Sequence, residues 1–298
     1  MRIVLCSDLH VGNPSPTEGV ASGFMGVPEP FDEIEHREFA QKIHDEKPDV
    51  LIVAGDCADT CIWSTFLKEC LQIYKNPHGI SLCIPGNHDL WLSRPLRKTF
   101  LHAYEDFYKT VEAEGWIGLR DTPWSKDGVY IVGNSCWYDF STADPAFGRT
   151  PAQWDAKGEW ADYGMMVMKS ALSFNGDLMD EFDASLAKVP APDQRKALIV
   201  VTHMVGFSFL LSDEFPTPDH GRGFMGNLAI GNKVATAEAN LYYCGHTHRR
   251  RDKMLGNMRC ICNGSGYGRG SKRYDVFDIS PEGAITDATP GIEPARMG

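Results

Sequence analysis

The sequence predicts an α/β fold with a parallel sheet first and a second, partly antiparallel sheet after it. Three observations carry this reading. Short apolar runs rich in Val, Ile and Leu recur along the chain, as strands covered on both faces do. Amphipathic stretches separate the first three runs, giving strand, helix, strand, helix, strand and hence right-handed parallel crossovers. Beyond residue 196 the strand-like runs lie close together, residues 254–264 and 274–279 among them.

Taken in order, the first run is RIVLCSDLH (2–10), followed by a helical pattern over 33–47 with Ile34, Phe39 and Ile43 at loosely helical spacing. DVLIVAGD (49–56) is the second run, and 61–74 then places Phe66, Cys70 and Ile73 on one helix face. ISLCIPGNHD (80–89) precedes the clearest amphipathic helix, over 96–114, with Phe100, Tyr104, Phe107 and Val111 at three- and four-residue steps. GVYIVGNS (128–135), KALIVVTH (196–203) and NLYYCGHTH (240–248) are further strands. Two stretches, 138–161 and 206–232, are rich in Gly, Pro and aromatic residues and read as long loops, either a rim or lid over a site or irregular surface covering. A single domain over 1–283 with a loosely ordered tail over 284–298 is expected.

Composition bounds the function. A chain of 298 residues with 43% hydrophobic and 23% charged residues is that of an ordinary globular protein, and no apolar stretch has the length to span a bilayer. The start, MRIVLCSDLH, enters a strand without the basic, apolar and small-residue pattern of a secretory leader, so a cytoplasmic location is expected. The nine cysteines are odd in number and form no CxxC pair, and most lie inside apolar runs, so they read as reduced thiols. A formal net charge of -11 argues against a general nucleic-acid binder, although a metal site supplies local positive charge whatever the balance.

The chemistry lies where the runs end. Five of them deliver Asp8 and His10, then Asp56 and Asp59, then Asn87, His88 and Asp89, then His203, then His246 and His248. Ligands of open α/β sheets bind beyond the carboxyl ends of the strands. Residues 8 and 10, like 246 and 248, are two apart, so an extended backbone would point each pair the same way. Any one Asp-x-His reads more simply as a solvated strand end, and a lone His203 as a hydrogen-bonded core residue; all five in order do not. Oxygen and imidazole donors without thiolates suit Mn, Fe, Zn, Co or Ni, and Asp56 stands where it could bridge two ions. Gly55, Gly86 and Gly245 each precede one of these residues, where a tight turn or close backbone approach is needed.

The series DLH (8–10), GDCAD (55–59), GNHD (86–89), TH (202–203) and GHTH (245–248) resembles the calcineurin-like metallophosphoesterase superfamily, over about four fifths of the chain. The resemblance implies a four-layer αββα sandwich, two mixed β-sheets flanked by helices, with a dinuclear metal centre at the strand ends. By position, Asp8, His10 and His248 would hold one cation and Asn87, His203 and His246 the other, with Asp56 bridging. His88 matches the histidine that contacts phosphate and assists the leaving group, and Asp59 the carboxylate that orients it. Asp89 is read as a loop-capping residue. The implied reaction is attack on a phosphoester by a hydroxide held between two divalent cations, manganese being the first expectation.

The details narrow the branch. Thr60 and Asp89 stand where serine/threonine protein phosphatases carry arginine and glutamate, and Asp59 stands where purple acid phosphatases supply a tyrosine. GNHD and GHTH look like the bacterial-type branch. Met204 follows His203 where many relatives have a second histidine. Arg249 heads a basic run with Arg250, Arg251 and Lys253, read either as substrate contacts or as charge balance, and Trp91 and Trp137 as stacking surfaces or rim packing. The expected partner is a small phosphorylated substrate, nucleotides included, with neither membrane nor nucleic acid. Two rivals stay open: a non-catalytic scaffold of the same fold, and a nuclease.

Overall fold

The structure, a computed structural model, describes residues 1–12, 33–59, 65–91, 100–166, 168–211, 220–266 and 270–290. The chain opens with β1 (Arg2–Cys6), α1 (Glu33–Asp45), β2 (Val50–Ala54), α2 (Thr65–Tyr74), β3 (Ile80–Ile84), the one-turn α3 (Asn87–Leu90), α4 (Phe100–Ala113) and β4 (Ile117–Gly118). It continues through β5 (Trp124–Lys126), β6 (Val129–Asn134), α5 (Pro151–Lys157), α6 (Ala161–Met165), α7 (Ala171–Leu186), β7 (Ala197–Thr202), α8 (Leu228–Thr236) and β8 (Leu241–Cys244). The hairpin β9 (Arg250–Leu255) and β10 (Met258–Asn263) follows, then β11 (Tyr274–Ile279) and β12 (Ile285–Asp287).

These strands form two mixed sheets of six, in the orders β12-β11-β1-β2-β3-β4 and β5-β6-β7-β8-β10-β9. Alternation along the strands explains why the runs looked apolar at every position. Ile3, Leu5, Val50, Ile52, Leu82 and Ile84 of the first sheet pack with Ile131, Ile199, Val201, Tyr243 and Ile261 of the second, a core made by strands and flanking loops without helical residues. The intervening residues, such as Val4, Leu51, Val53, Val200 and Tyr242, join a second core with Phe39, Leu71 and Phe107 of the first helices and Phe174, Phe182 and Val234 of the later ones. Each sheet thus has one face on its partner and one on helices, the four-layer α/β sandwich the sequence implied.

Several details differ from the sequence reading. The second sheet begins with β5 and β6, well before residue 196, because β6 pairs in parallel with β7. β11 belongs instead to the first sheet, antiparallel to β1. Alternation fixes which face of a strand is apolar, not which sheet takes it up. The tail expected from 284 contains β12, paired with β11 through Ile279 and Ile285; three residues give too short an alternation to read. Ile34 is exposed, the buried face of α1 being His36, Phe39, Ala40 and Ile43. The 138–161 stretch holds α5, entered through a capping box of Thr150 and Gln153 with Pro151 at the first helical position, and the 206–232 stretch runs into α8. Residues 61–64 and 96–99, which begin the expected second and third helices, lie outside the described residues. Among the described residues no helix is long and apolar enough to cross a membrane.

The inter-sheet core sets the expected sensitivity to truncation. Ile199→Ala, at a fully buried position of β7, should cost about 2–5 kcal/mol in urea unfolding. Ile34→Ala, at a position 68% exposed, should stay within about 0.5 kcal/mol of the parent. Equal costs would contradict this layering.

Candidate metal centre

The parallel strands β1, β2, β3, β7 and β8 all end on one side of the sandwich, and the residues just beyond them converge. Asp8, His10, Asp56 and His248 form one group whose ligand-type atoms lie within 4.8 Å of one another, and Asp56, His203 and His246 form a second. Asp56 belongs to both. Asn87, at the start of α3, joins the second group through its Oδ1, 3.1 Å from His203 Nε2. His10, Asp59 and His88 form a third group beside the first.

The route to this convergence differs from the expected extended backbone. The strands stop at Cys6 and Cys244, and Asp8, His10, His246 and His248 have φ of 58°, 48°, 69° and 54°, all in the left-handed region, as does Asp56 at 50°. Past each strand the backbone enters the left-handed region at both residues of the pair, and both side chains of the pair join the ligand groups at the centre. Asp and His are among the residue types that tolerate this conformation best. All three glycines serve close approach, Gly55 at a positive φ where a methyl group would collide with the His203 ring. A methyl group at Gly86 would collide with the Asp56 carboxylate, and one at Gly245 with Ser7 and Asp8.

Hydrogen bonds fix the tautomers. His10 Nδ1 lies 3.2 Å from Asp59 Oδ1, His203 Nδ1 lies 3.0 Å from the Ala54 carbonyl and His246 Nε2 lies 3.1 Å from the Phe224 carbonyl. A carboxylate or carbonyl only accepts, so each of those nitrogens carries the proton and the other ring nitrogen faces the centre. For His10 that is Nε2, 3.1 Å from His248 Nε2; for His203 it is Nε2; for His246 it is Nδ1. Asp8 accepts the His246 backbone N–H at 3.1 Å and lies 3.1 Å from His248 Nε2. Asp56 Oδ1 accepts the His88 backbone N–H at 2.9 Å, while its Oδ2 is buried without a hydrogen-bond partner, 3.4 Å from His203 Nε2 and 3.7 Å from His10 Nε2. A buried carboxylate oxygen that no hydrogen bond satisfies, facing two imidazole nitrogens, fits a divalent cation.

Electrostatics separate the histidines by role. Burial alone would lower the His88 imidazole, but Asp56 and Asp59, the latter hydrogen-bonded to His88 Nδ1, push it up to about 9. For His203 burial likewise opposes, and Asp56 and Asp8 outweigh it to raise the ring to about 10. Burial and the neighbouring His203 charge press His246 down to about 3. Burial lowers His10 despite Asp59. Burial would raise Asp59, yet His10 and His88 hold it below the usual carboxylate range. The buried carboxylates thus favour the protonated form of His88 and His203.

The remaining candidates fall out differently. Asp89 accepts the backbone N–H groups of Cys57, Ala58 and Gly86 at 3.1, 2.9 and 2.9 Å, tying the β2 and β3 loops together. Arg249 is exposed and is not among the residues lining the pocket at the centre. Its neighbour Arg250 pairs with Asp275 at 2.5 Å and with Asp252 at 3.3 Å, so that position balances charge. Trp137 is fully buried against Phe174 and is a core residue. Trp91 stacks on His88 with ring centroids 3.7 Å apart. The pocket, of about 230 Å³, is lined by Asp56, Asn87, His88, His246 and His248 together with Trp91, Trp160, Ala161 and Met225. Larger clefts lie near the amino ends of β6 and β7, around Arg195 and Lys196, away from this histidine and carboxylate cluster. Sequence reading missed Asp162 and the Phe224 carbonyl; the first has no motif around it, and a backbone carbonyl leaves no side-chain signal.

The fold and this arrangement define a phosphoesterase architecture, and comparison gives the family. The family model for calcineurin-like phosphoesterases matches residues 1–250, and the chain belongs to that family. Among solved structures, phosphopantetheinyl hydrolase from Mycobacterium tuberculosis matches 88% of this chain and 89% of its own at 18% identity, with a TM-score of 0.65. A dimetal phosphatase from Danio rerio matches 93% of this chain and 92% of its own at 10% identity, with a TM-score of 0.51. A putative 5'-nucleotidase from Staphylococcus aureus matches 97% of this chain and 52% of its own at 13% identity, with a TM-score of 0.52. At these identities the likeness is one of fold. A comparison with curated protein sequences gives no match.

The raised His88 can be tested directly. In the metal-free protein its NMR titration should centre near 9. That protonation stabilises the fold fully below the ordinary value of 6.5, and the contribution is lost as pH rises through about 9. Asp59→Asn should move the midpoint downward; an unmoved midpoint would remove Asp59 from the explanation.

Proposed function

We propose that this chain is a dinuclear metal-dependent phosphoester hydrolase acting on small phosphomonoesters or phosphodiesters. The observation that carries the reading is Asp56, a buried carboxylate shared by two ligand groups, with one oxygen engaged by backbone and the other unpartnered. Asp8, His10 and His248 would hold one cation, Asn87, His203 and His246 the other, and Asp56 would bridge. Two cations held there would supply Lewis-acid charge and lower the pKa of water bound to them. Manganese is the metal to try first, because the donor set is oxygen and imidazole without thiolate.

The chain's own residues do the rest. Asp59 holds His88 Nδ1, so Nε2 is the nitrogen that reaches a substrate, and the raised pKa keeps it protonated at neutral pH. His88 then stabilises the phosphoryl oxygens and gives its proton to the departing alkoxide. Trp91, Trp160 and Met225 line the same pocket and restrict water around the reacting group. The reading includes a cytoplasmic location and nucleotides among the candidate substrates.

A non-catalytic scaffold is the second reading, and the intact Asp59–His88 pair beside the ligand groups weighs against it. Hydrolysis of p-nitrophenyl phosphate and its bis-ester should depend on Mn2+, stop with chelator and return on metal addition. Metal-loaded protein without such turnover would favour the scaffold. The substrate panel should then extend to cyclic nucleotides, nucleoside polyphosphates, phosphopantetheinyl compounds and oligonucleotides, the last testing the nuclease alternative.

Two substitutions divide binding from chemistry. His88→Ala should retain both metals by elemental analysis and lose about 10²–10⁴ in kcat. Asp56→Asn should instead lower metal occupancy. Full turnover in the His88 variant would overturn its role.

A further inference from the structure

We infer that Asp162 is a positioning residue of the proposed metal centre: it fixes which atom Asn87 presents to the cation and holds Trp91 against His88. Asp162 lies in the second position of α6, in the stretch between β6 and β7 and outside every motif that marked the site. It is completely buried. Its Oδ1 accepts the Asn87 amide Nδ2 at 3.1 Å and the Trp91 indole Nε1 at 2.6 Å.

Donor and acceptor roles give these contacts their consequence. An asparagine ligates a cation through oxygen, and its amide can flip so that NH2 points there instead. A carboxylate receives hydrogen bonds only, so Asp162 selects the flip that turns Asn87 Oδ1 toward His203 Nε2 and the centre. The same oxygen anchors the Trp91 indole, whose ring stacks on His88 at 3.7 Å and 28°. One buried residue thus orders a metal ligand and the leaving-group histidine together.

The surrounding packing holds this corner in place. Trp160, two residues before Asp162, stacks on Phe224 with centroids 4.6 Å apart and planes 7° apart. Phe224 supplies the carbonyl that accepts from His246 Nε2. Partners of two residues assigned to the same cation, Asn87 and His246, therefore come from two chain segments joined by one aromatic stack. Groups that orient ligands in this way commonly carry 10–100-fold in metal affinity.

The inference rests on the reading of Asn87 as a metal ligand, and the experiment separates the two. Mn2+ is titrated calorimetrically into the metal-free full chain carrying Asp162→Ala, Asp162→Asn or Asn87→Ala, with thermal unfolding confirming that each is folded. Asp162→Ala should weaken one of two binding steps by about 10–100-fold and leave the other within a few fold. Asp162→Asn keeps an oxygen that accepts both N–H groups and should restore most of that loss. The Trp91 indole N–H resonance, assigned through Trp91→Phe, should move upfield in Asp162→Ala and much less in Asp162→Asn. Should Asp162→Ala not fold, Asp162→Ser is read in its place. If Asn87→Ala weakens a step and Asp162→Ala, folded, weakens none, the ligand assignment stands and the role of Asp162 is overturned. If Asn87→Ala also binds as the parent does, the assignment of Asn87 falls and this inference with it.

Discussion

Asp8 and Asp56 are buried and their carboxylates share one small space at the carboxyl ends of the strands, with the buried Asp59 carboxylate behind His10 and His88. Like charges so placed repel, and desolvation makes each costly unless compensated. Everything around them answers that constraint. Backbone N–H groups of His88 and His246 point at Asp56 and Asp8, and the carboxylates in turn raise the pKa of His88 and His203, which favours their cationic forms. A divalent cation held by His203 would displace its proton, which would link metal uptake to pH.

A second layer of contacts sets direction. Each imidazole whose far nitrogen is accounted for gives it to an acceptor from a different part of the chain: Asp59 for His10, Ala54 for His203, Phe224 for His246. The pairs at the turns after β1 and β8 therefore do not work by spacing alone. Segments far away in sequence decide which nitrogen lone pair is offered, and the one that holds Phe224 also lines the pocket through Met225. The packing of the sandwich and the chemistry of its rim are in this sense one arrangement.

Much of this was legible in the residues themselves. Buried parallel strands write continuous apolar runs, so β1, β2, β3, β7 and β8 and the polar residues beyond them could be found without coordinates. Assignment of strands to sheets could not, because β11 next to β1 is a tertiary choice that local alternation does not encode. Helix α7 went unread although Phe174, Leu178 and Phe182 recur every four residues behind an N-capping Ser170. Asp162 was invisible for a different reason: its meaning comes from Asn87 and Trp91, more than seventy residues away. Trp137, read as either a stacking surface or rim packing, is a core residue, because position after a strand says nothing about depth.

The left-handed turns carry a cost of their own. Five side chains that converge on the centre occupy backbone conformations that glycine adopts freely and that cost other residues about 1–3 kcal/mol each. The local sequence is therefore frustrated on behalf of the site. Selection of this protein for heat resistance alone, without cations present, would reward glycine at those five places and erase the chemistry while improving the scaffold.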